Sequence, residues 1–327
     1  MLFLGIETSC DETSMAVYDT AQGVLSTHTA SQADIHNLFG GVVPEVASRN
    51  HILKLEPLYK KCLTDASVAP SDLDVIGVTN APGLIGALFV GVGFAKGLGY
   101  GLKIPVMPVN HLSAHILAAE LEHKELKPPY LALIISGGHT HIYDVDAALN
   151  FRLVAKTVDD AAGESFDKVA KMLDLGYPGG PAIEKLAKSG SGDAVPLPIA
   201  MKKEDNFSFS GLKTAVLNNL NKGIYSKEDL AASFQKTAAD TLVLKTLRIA
   251  RRLKRQQVVV AGGVACNGYI RETFRNSCKR GENVYFPSFR LCTDNGDMIA
   301  YAASRFYNKR RFFSLEGTAY DTQPEIG

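Results

Sequence analysis

Leu2-Phe3-Leu4-Gly5-Ile6-Glu7-Thr8-Ser9-Cys10-Asp11-Glu12-Thr13-Ser14-Met15-Ala16-Val17-Tyr18-Asp19 decides how the rest of the chain reads. Residues 2–7 are a near-continuous apolar run, the pattern of a buried strand. Residues 8–13 are small and polar, as a turn facing a ligand would be, and 14–19 and 24–31 read as a second and a third strand. A hairpin start with no Gly-x-Gly-x-x-Gly after the first strand argues against a doubly wound dinucleotide fold.

Outward from that start, Gly40-Gly41 leads to Pro44, well placed to open a helix that Pro57 kinks or breaks. A buried strand at 74–79 and the turn Ala81-Pro82-Gly83 come next. A helix at 84–102 has small and apolar residues on every side and reads as buried. A short strand at 104–109 and a helix to about Glu122 complete a first half. After Lys127-Pro128-Pro129 the pattern begins again, with strands at 131–136, 139–145 and 151–157. A Gly- and Pro-punctuated insertion at 159–226 holds short helices at 162–173 and 181–188. Then come a helix at 227–254, a strand at 258–261, a helix after Asn267, a strand at 284–286 and a last helix at 295–307. Three strands, helix, strand, helix, strand, helix therefore occurs twice, as a repeat of element order without obvious identity. That organisation resembles the actin, sugar-kinase and Hsp70 (ASKHA) superfamily, an α/β fold whose two lobes face a nucleotide cleft. The expected lobes are 1–127 with 296–327, and 128–295.

The 327 residues suit two such lobes, and 46% hydrophobic content supplies both cores. No apolar stretch reaches the roughly 18 residues of a membrane span without Gly or charge, and no basic segment with a cleavage site opens the chain. The expectation is a soluble, cytoplasmic protein with no membrane association. Five cysteines without CxxC spacing fit reduced thiols. A net charge of +1 neither points to a nucleic-acid partner nor excludes one. Lys245, Arg248, Arg251, Arg252, Lys254 and Arg255 gather at one helix end, and Lys309, Arg310 and Arg311 near the C-terminus. Such clusters read first as solvated helix ends and second as phosphate contacts.

Asn110-His111-Leu112-Ser113-Ala114-His115 sets two imidazoles one helical turn apart, where they can converge on one ion. By itself the pair reads more readily as two surface or core histidines. The matching point of the second half is Cys292-Thr293-Asp294-Asn295, before its last helix. In a duplicated fold the two terminal helices approach each other at the base of the cleft. Asp294 then completes a His₂-carboxylate set with open positions, and an ordinary N-cap role for it is compatible. Gly-Gly pairs at 40–41, 137–138, 179–180 and 262–263 read singly as tight turns. Within this fold, Ser136-Gly137-Gly138 is placed to touch phosphate, and the loop from Ala261 to Asn267 to hold an adenosine. Glu7 stands where sugar kinases and actin-like ATPases carry an Asp, which argues against γ-phosphoryl transfer and for an adenylate oriented by the ion. Leu112 stands where the HExxH motif of zincins needs Glu, so protease chemistry is not expected.

The stretch from Gly5 to Thr13, Asn110-His111-Leu112-Ser113-Ala114-His115, Ser136-Gly137-Gly138-His139-Thr140 and Cys292-Thr293-Asp294-Asn295-Gly296 together resemble the TsaD family. This is the bacterial branch of a group with the Kae-type proteins of archaea and eukaryotes, formerly described as O-sialoglycoprotein endopeptidases. Gly41-Val42-Val43-Pro44-Glu45 and Phe209-Ser210-Gly211-Leu212-Lys213 extend the resemblance over essentially the whole chain. It implies transfer of a threonylcarbamoyl group from threonylcarbamoyl-adenylate to N6 of the adenosine 3′ of the anticodon, in tRNAs reading codons that begin with A, with release of AMP. It implies one divalent ion per subunit, iron or zinc, on His111, His115 and Asp294. An adenylate (threonylcarbamoyl-AMP, or ATP, ADP or AMP in its place) is implied on Ile134, Ile135, Ser136, Gly137, Gly138, Asp167, Gly180, Glu184 and Asn267. Asp11 and Glu12, otherwise turn residues, gain implied roles in activity. Three partners follow from the same resemblance: tRNA, a degenerate paralogue of the same fold (TsaB) and a small ATPase (TsaE). The alternatives are an actin-like ATPase or small-molecule kinase, whose turnover with Mg²⁺ would survive loss of His111 and His115, and a non-catalytic nucleotide-binding scaffold.

Overall fold

Apolar residues on both faces put the first strand, β1 (Leu2–Glu7), at the centre of a sheet, buried from Phe3 to Glu7. The structure is a computed structural model and describes residues 1–39, 41–309 and 312; the expectations for Gly40, Arg310 and Arg311 lie outside the described residues. Antiparallel to β1 runs β2 (Glu12–Asp19), and antiparallel to that β3 (Gly23–Ser31). After α1 (Ala33–Asn37) and α2 (Pro44–Ala66), β4 (Val75–Ala81) joins the other side of β1 in parallel. Helix α3 (Ile85–Leu102) crosses to β5 (Val106–Asn110), parallel to β4, and α4 (His111–Glu122) follows at once. The sheet order is β3-β2-β1-β4-β5.

The plan then recurs. The strands β6 (Tyr130–Ile135), β7 (Thr140–Val145) and β8 (Phe151–Lys156) form an antiparallel trio. Helices α5 (Ala162–Met172), α6 (Gly179–Ala187), α7 (Ser210–Lys222) and α8 (Lys227–Arg252) lead to β9 (Gln257–Ala261), parallel to β6. Then come α9 (Gly268–Ser277), β10 (Asn283–Tyr285), parallel to β9, and α10 (Phe289–Cys292). The second order, β8-β7-β6-β9-β10, repeats the first strand for strand. Last, α11 (Gly296–Phe306) packs on α4 and on β1 and β2.

Two units result: Met1–Glu122 with the chain from Thr293, and His123–Cys292. Asp294 therefore belongs to the first unit, whereas the sequence alone reads 128–295 as one lobe. The reason lies in close backbone packing of α11. A Cβ on Gly5 would fall 2.3 Å from the Gly296 carbonyl oxygen, and one on Gly296 would fall 2.4 Å from the Met15 carbonyl carbon. The Gly296 amide also donates to Ser14 Oγ at 2.8 Å. On the opposite face of this sheet, Leu4, Ile6, Met15, Val17 and Val78 form a core with Leu55 and Leu63 of α2 and Val92 of α3.

Two helices differ from their sequence reading. Helix α2 runs unbroken through Pro57, which lies on the exposed side, where water can take the hydrogen bond that proline forfeits. Helix α3 is long and apolar enough to cross a membrane by length and composition, yet its Ala87, Leu88, Gly91, Val92, Ala95 and Gly99 are buried. Its other face is exposed, not buried as expected.

In the second unit the basic cluster of α8 is mostly paired. Lys245 is fully buried and donates to the carbonyls of Met201 at 2.8 Å and Asn206 at 2.5 Å, fastening the insertion to the helix. Arg251 pairs with Glu282 at 2.7 Å, Arg252 with Asp205 at 2.6 Å, and Arg255 with buried Asp144 at 2.6 Å. Arg152 adds a second cation to Asp144 at 3.0 Å. Burial opposes the Asp144 charge, but the two arginines hold it below the ordinary carboxylate range. We expect Asp144→Ala to cost about 2 kcal/mol in urea unfolding at neutral pH, less than a fully buried pair because both arginines reach solvent. A lowered folded pKa stabilises above the ordinary value and loses that effect as pH falls. The deficit should therefore shrink below about pH 4.

Candidate functional site

The first turn of α4 is fixed by the residue before it. Asn110 Oδ1 accepts from the amides of Leu112 at 2.9 Å and Ser113 at 3.2 Å, so His111 and His115 leave the same side of the helix. Their ring centroids lie 4.6 Å apart at 87°. Asp294 Oδ1 stands 3.1 Å from His115 Nε2 and 3.5 Å from His111 Nε2. The N-cap reading of Asp294 does not hold, because Asn295 caps α11 by accepting from the Met298 amide at 2.9 Å. Asp294 is thereby left to face the histidines.

Behind this trio sits Glu7, fully buried. It accepts from the Ser9 amide at 2.6 Å, from Thr79 Oγ1 at 2.5 Å and from His111 Nδ1 at 3.2 Å. The last bond holds the His111 proton at Nδ1 and aims Nε2 at Asp294. Burial disfavours a charged imidazole, yet Asp294 and Glu7 outweigh it and push His111 up to about 9. Burial lowers His115, and charged His111 adds to that. Burial works against the Asp294 carboxylate, but His111 and the His115 hydrogen bond bring it down to about 2. Against burial, His111 also holds Glu7 below its ordinary value. Two imidazole nitrogens and one carboxylate oxygen, all within 4.8 Å of one another, fit a divalent zinc or iron ion with open positions. Glu7→Gln should weaken both metal retention and catalysis by roughly 10–100-fold, measured as metal content after dialysis against a chelator and as turnover.

Asp11 ends the turn after β1 and Glu12 opens β2, and this junction is pinned from below. His51, fully buried in α2, meets Thr13 Oγ1 at 2.7 Å through Nδ1 and donates from Nε2 to the Cys10 carbonyl at 3.0 Å. The Gln32 amide donates to the Asp11 carbonyl at 3.1 Å. Glu12 Oε1 accepts from Ser31 Oγ at 2.7 Å, while its buried Oε2 has no protein partner among the described residues. Burial pushes Glu12 up to about 7, with Ser31 opposing and Asp11 adding. Burial and Asp11 also push the Cys10 thiol far up, so it is no nucleophile at neutral pH.

The second unit gathers the remaining predicted residues around two loops. Ile134 and Ile135 end β6 with fully buried side chains, so only their backbone can meet a ligand. In the bend that follows, the His139 amide donates to Ser136 Oγ at 3.1 Å, and Gly137 and Gly138 are exposed with open space around them. The glycine that this bend requires is Gly163, whose Cβ would fall 2.5 Å from the Ser136 carbonyl oxygen. Asp167 accepts from the Gly179 amide at 2.7 Å, beside Gly180 at the start of α6. Glu184 accepts from the Gly268 amide at 2.9 Å and lines a cavity of about 580 Å³ with Gln235, Lys236, Gly268, Tyr269 and Glu272. Asn267 is occupied structurally: Oδ1 caps α9 through the Ile270 amide at 3.0 Å, and Nδ2 donates to Gln235 at 2.8 Å.

Sequence reasoning did not foresee the roles of Glu7, His51 and Gly163. For Glu7 the signal was a carboxylate ending an apolar strand, a position that demands a buried partner.

Comparison with known proteins adds a separate line. A family model described as TsaD, tRNA N6-adenosine threonylcarbamoyltransferase, matches residues 23–301. Curated relatives described by the same enzyme name include one from Clostridium beijerinckii, 50% identical over 310 residues, covering 92% of this chain and 91% of the relative. Another, from Persephonella marina, is 44% identical and covers 98% of this chain and 95% of its own. Among solved structures, the crystal structure of T. kodakarensis HypF matches with a TM-score of 0.67 at 15% identity, over 94% of this chain and 48% of that one. Component A of (R)-2-hydroxyglutaryl-CoA dehydratase from Acidaminococcus fermentans matches with a TM-score of 0.59 at 14% identity, over 93% and 99%. At such identities the structural likeness speaks for the duplicated fold alone.

Proposed function

The chain belongs to the tRNA N6-adenosine threonylcarbamoyltransferase family, and from that premise we propose how its own residues carry the transfer. It is a transferase acting on tRNA. The donor is threonylcarbamoyl-adenylate and the acceptor the N6 amine of the adenosine 3′ of the anticodon. N6 bonds to the carbamoyl carbon, the bond from that carbon to the phosphate oxygen breaks, AMP leaves and N6 sheds a proton. The reading is supported above all by the convergence of His111, His115 and Asp294 on one point in a chain of this family.

An iron or zinc ion held by those three residues would supply positive charge to the donor's oxygens. Glu7 keeps His111 oriented for that task. The amides of the Ser136-Gly137-Gly138 bend take the phosphate, Asp167, Gly180 and Glu184 hold the nucleoside, and Asn267 shapes that loop through its cap on α9. Glu12 accepts the N6 proton, with Asp11 beside it. A carboxyl titrating near neutrality suits that step better than an ordinary one. The acceptor amine is a weak nucleophile, so the pinning of the Cys10–Thr13 loop by His51 matters for positioning.

Two partners complete the proposal, the paralogue TsaB and the small ATPase TsaE. An apolar surface for the first is present on adjoining α2 and α3, where Ile52, Leu53, Ile85, Phe89 and Tyr100 are all more than half exposed. A cytoplasmic location is supported by five free cysteines.

The test is transfer from purified threonylcarbamoyl-adenylate to tRNA with both partners present; no product would end the reading. In the same assay kcat/KM should rise with pH through about 7 and level off, since Glu12 must be ionised to act and burial has raised its pKa. Glu12→Gln should lower the plateau by roughly 10²-fold and abolish that limb. An unchanged profile would remove Glu12 from the mechanism.

A further inference from the structure

The cations at the end of α8 face Glu282, Asp205 and Asp144, and a second basic stretch lies beyond them. Residues 271–290 carry Arg271, Arg275, Lys279, Arg280 and Arg290 against Glu272 and Glu282, in a chain whose net charge is only +1. Glu282 is already engaged by Arg251, through bonds of 2.7 and 2.8 Å. Arg275 and Arg280 are exposed and have no ion-pair partner among the described residues.

Aromatic rings alternate with these cations. The Arg271 guanidinium lies over Phe289 at 4.6 Å from the ring centre and over Phe286 at 5.1 Å, and Arg275 lies over Phe286 at 5.6 Å. Arg271 and Arg275 stand one turn apart on α9, so they share a face. Arg271 is held in place: Nε donates to the Ala265 carbonyl at 2.6 Å and Nη2 to the Pro287 carbonyl at 2.8 Å. Phe286 is buried, whereas Phe289 is 62% exposed. One face of the Phe289 ring therefore rests on a clamped guanidinium while much of the ring meets solvent.

We propose that this face binds the anticodon loop of tRNA, with an unpaired base stacked on Phe289 and backbone phosphates on Arg275 and Arg280. The assignment rests on the tRNA reading given above and extends it to a surface. Every base has a π-face and every nucleotide a negative charge, so a rigid ring flanked by cations suits single-stranded RNA. Because the ring is already fixed by Arg271, little freedom is lost when a base arrives. A protein partner would call for apolar area with depleted charge at its centre. Among the described residues Phe289 is the one large apolar side chain exposed between 270 and 309, and its neighbours are cations. Position along the chain agrees. Asp294 follows Phe289 by five residues, a span of at most about 18 Å. Stacked nucleotides advance about 3.4 Å each, so bases a few positions from the reacting adenosine fall within that reach.

The experiment titrates a fluorescent anticodon stem-loop RNA with the full chain assembled for the transfer assay, over a series of potassium chloride concentrations. Phe289→Ala should weaken binding about 10–100-fold, and Phe289→Leu, which keeps bulk without a π-face, should weaken it similarly. Phe289→Tyr should bind like wild type. Joint replacement Arg275→Glu and Arg280→Glu should flatten the slope of log affinity against log salt by roughly 1.4–1.8, the loss of two phosphate contacts. In the transfer assay the penalty should fall on KM for tRNA rather than on kcat. Wild-type affinity in Phe289→Ala overturns the proposal, as does a Phe289→Tyr chain no better than alanine or an unchanged salt slope in the charge reversal. Variants that fail to assemble with the partner proteins, yet bind RNA normally once assembled, give the face to a protein and also overturn it. A wild-type assembly that binds no tRNA ends the functional reading itself, whereas equal binding by wild type and variants ends this assignment alone.

Discussion

Asp294→Ala is expected to lower threonylcarbamoyl transfer by on the order of 10³-fold, more than the roughly 10–100-fold expected at Glu7, and to strip the chain of bound divalent metal. Asp294 Oδ1 lies within reach of both His111 and His115 Nε2, at 3.5 and 3.1 Å. Without its charge the set offers two neutral donors, and the main force that raises His111 to about 9 is gone. Asp294→Asn separates the two effects: it keeps the shape and the oxygen but not the charge, and should fall between alanine and wild type. Metal content by elemental mass spectrometry and single-turnover transfer are the measurements. A chain with alanine at 294 that keeps full metal and full rate would sink the metal-centred mechanism. The sign of the pH effect on metal affinity also follows. A proton and the ion compete for His111, so affinity should climb about tenfold per pH unit from pH 6 toward 9.

The second large effect concerns no reacting group. Gly296→Ala is expected to cost about 3–5 kcal/mol and to reduce transfer together with stability. A Cβ at residue 296 would lie 2.4 Å from the Met15 carbonyl carbon and 2.5 Å from the Ala16 amide nitrogen, both backbone atoms of the central hairpin. Neither the strand nor the start of α11 can swing aside as a flexible side chain would. The helix must lift, and Asp294, two residues before its first turn, must lift with it. Urea unfolding followed by circular dichroism reads the stability, and metal content reads the displacement. A chain with alanine at 296 that unfolds like wild type would contradict the packing described for β1, β2 and α11.

How much of this could be read beforehand depends on the range over which each signal acts. His111 and His115 are one helical turn apart, so their shared face is a local property of the sequence. Asp294 was reachable because strand and helix order repeats, although the same logic placed it with the second lobe. Close Gly5–Gly296 packing decides otherwise, and no periodicity announces a helix resting on glycine. The His111–Glu7 bond joins residues 104 apart, and His51 meets Thr13 across 38. Contacts of that kind are set by tertiary packing alone. Helix α7 escaped because only Leu212 and Val216 of its residues are buried, too few for an apolar stripe. Charges clustered on α8 suggested solvent, while the partners Glu282, Asp205 and Asp144 lie far away in sequence.

The return of α11 to the first sheet has a consequence for how the protein is made. His115 and Asp294 are 179 residues apart, and nearly everything between them builds the other unit. At ribosomal speeds that interval takes roughly 10–40 s. Throughout it, the face of β1 and β4 that presents Gly5 and Gly77 waits without its covering helix. The nascent first unit is therefore an unfinished product whose two histidines emerge long before their carboxylate. Any ion held by all three residues would thus be taken up late in the life of each molecule, after α11 has left the ribosome. A truncated or stalled chain would carry the histidine pair and never the complete site.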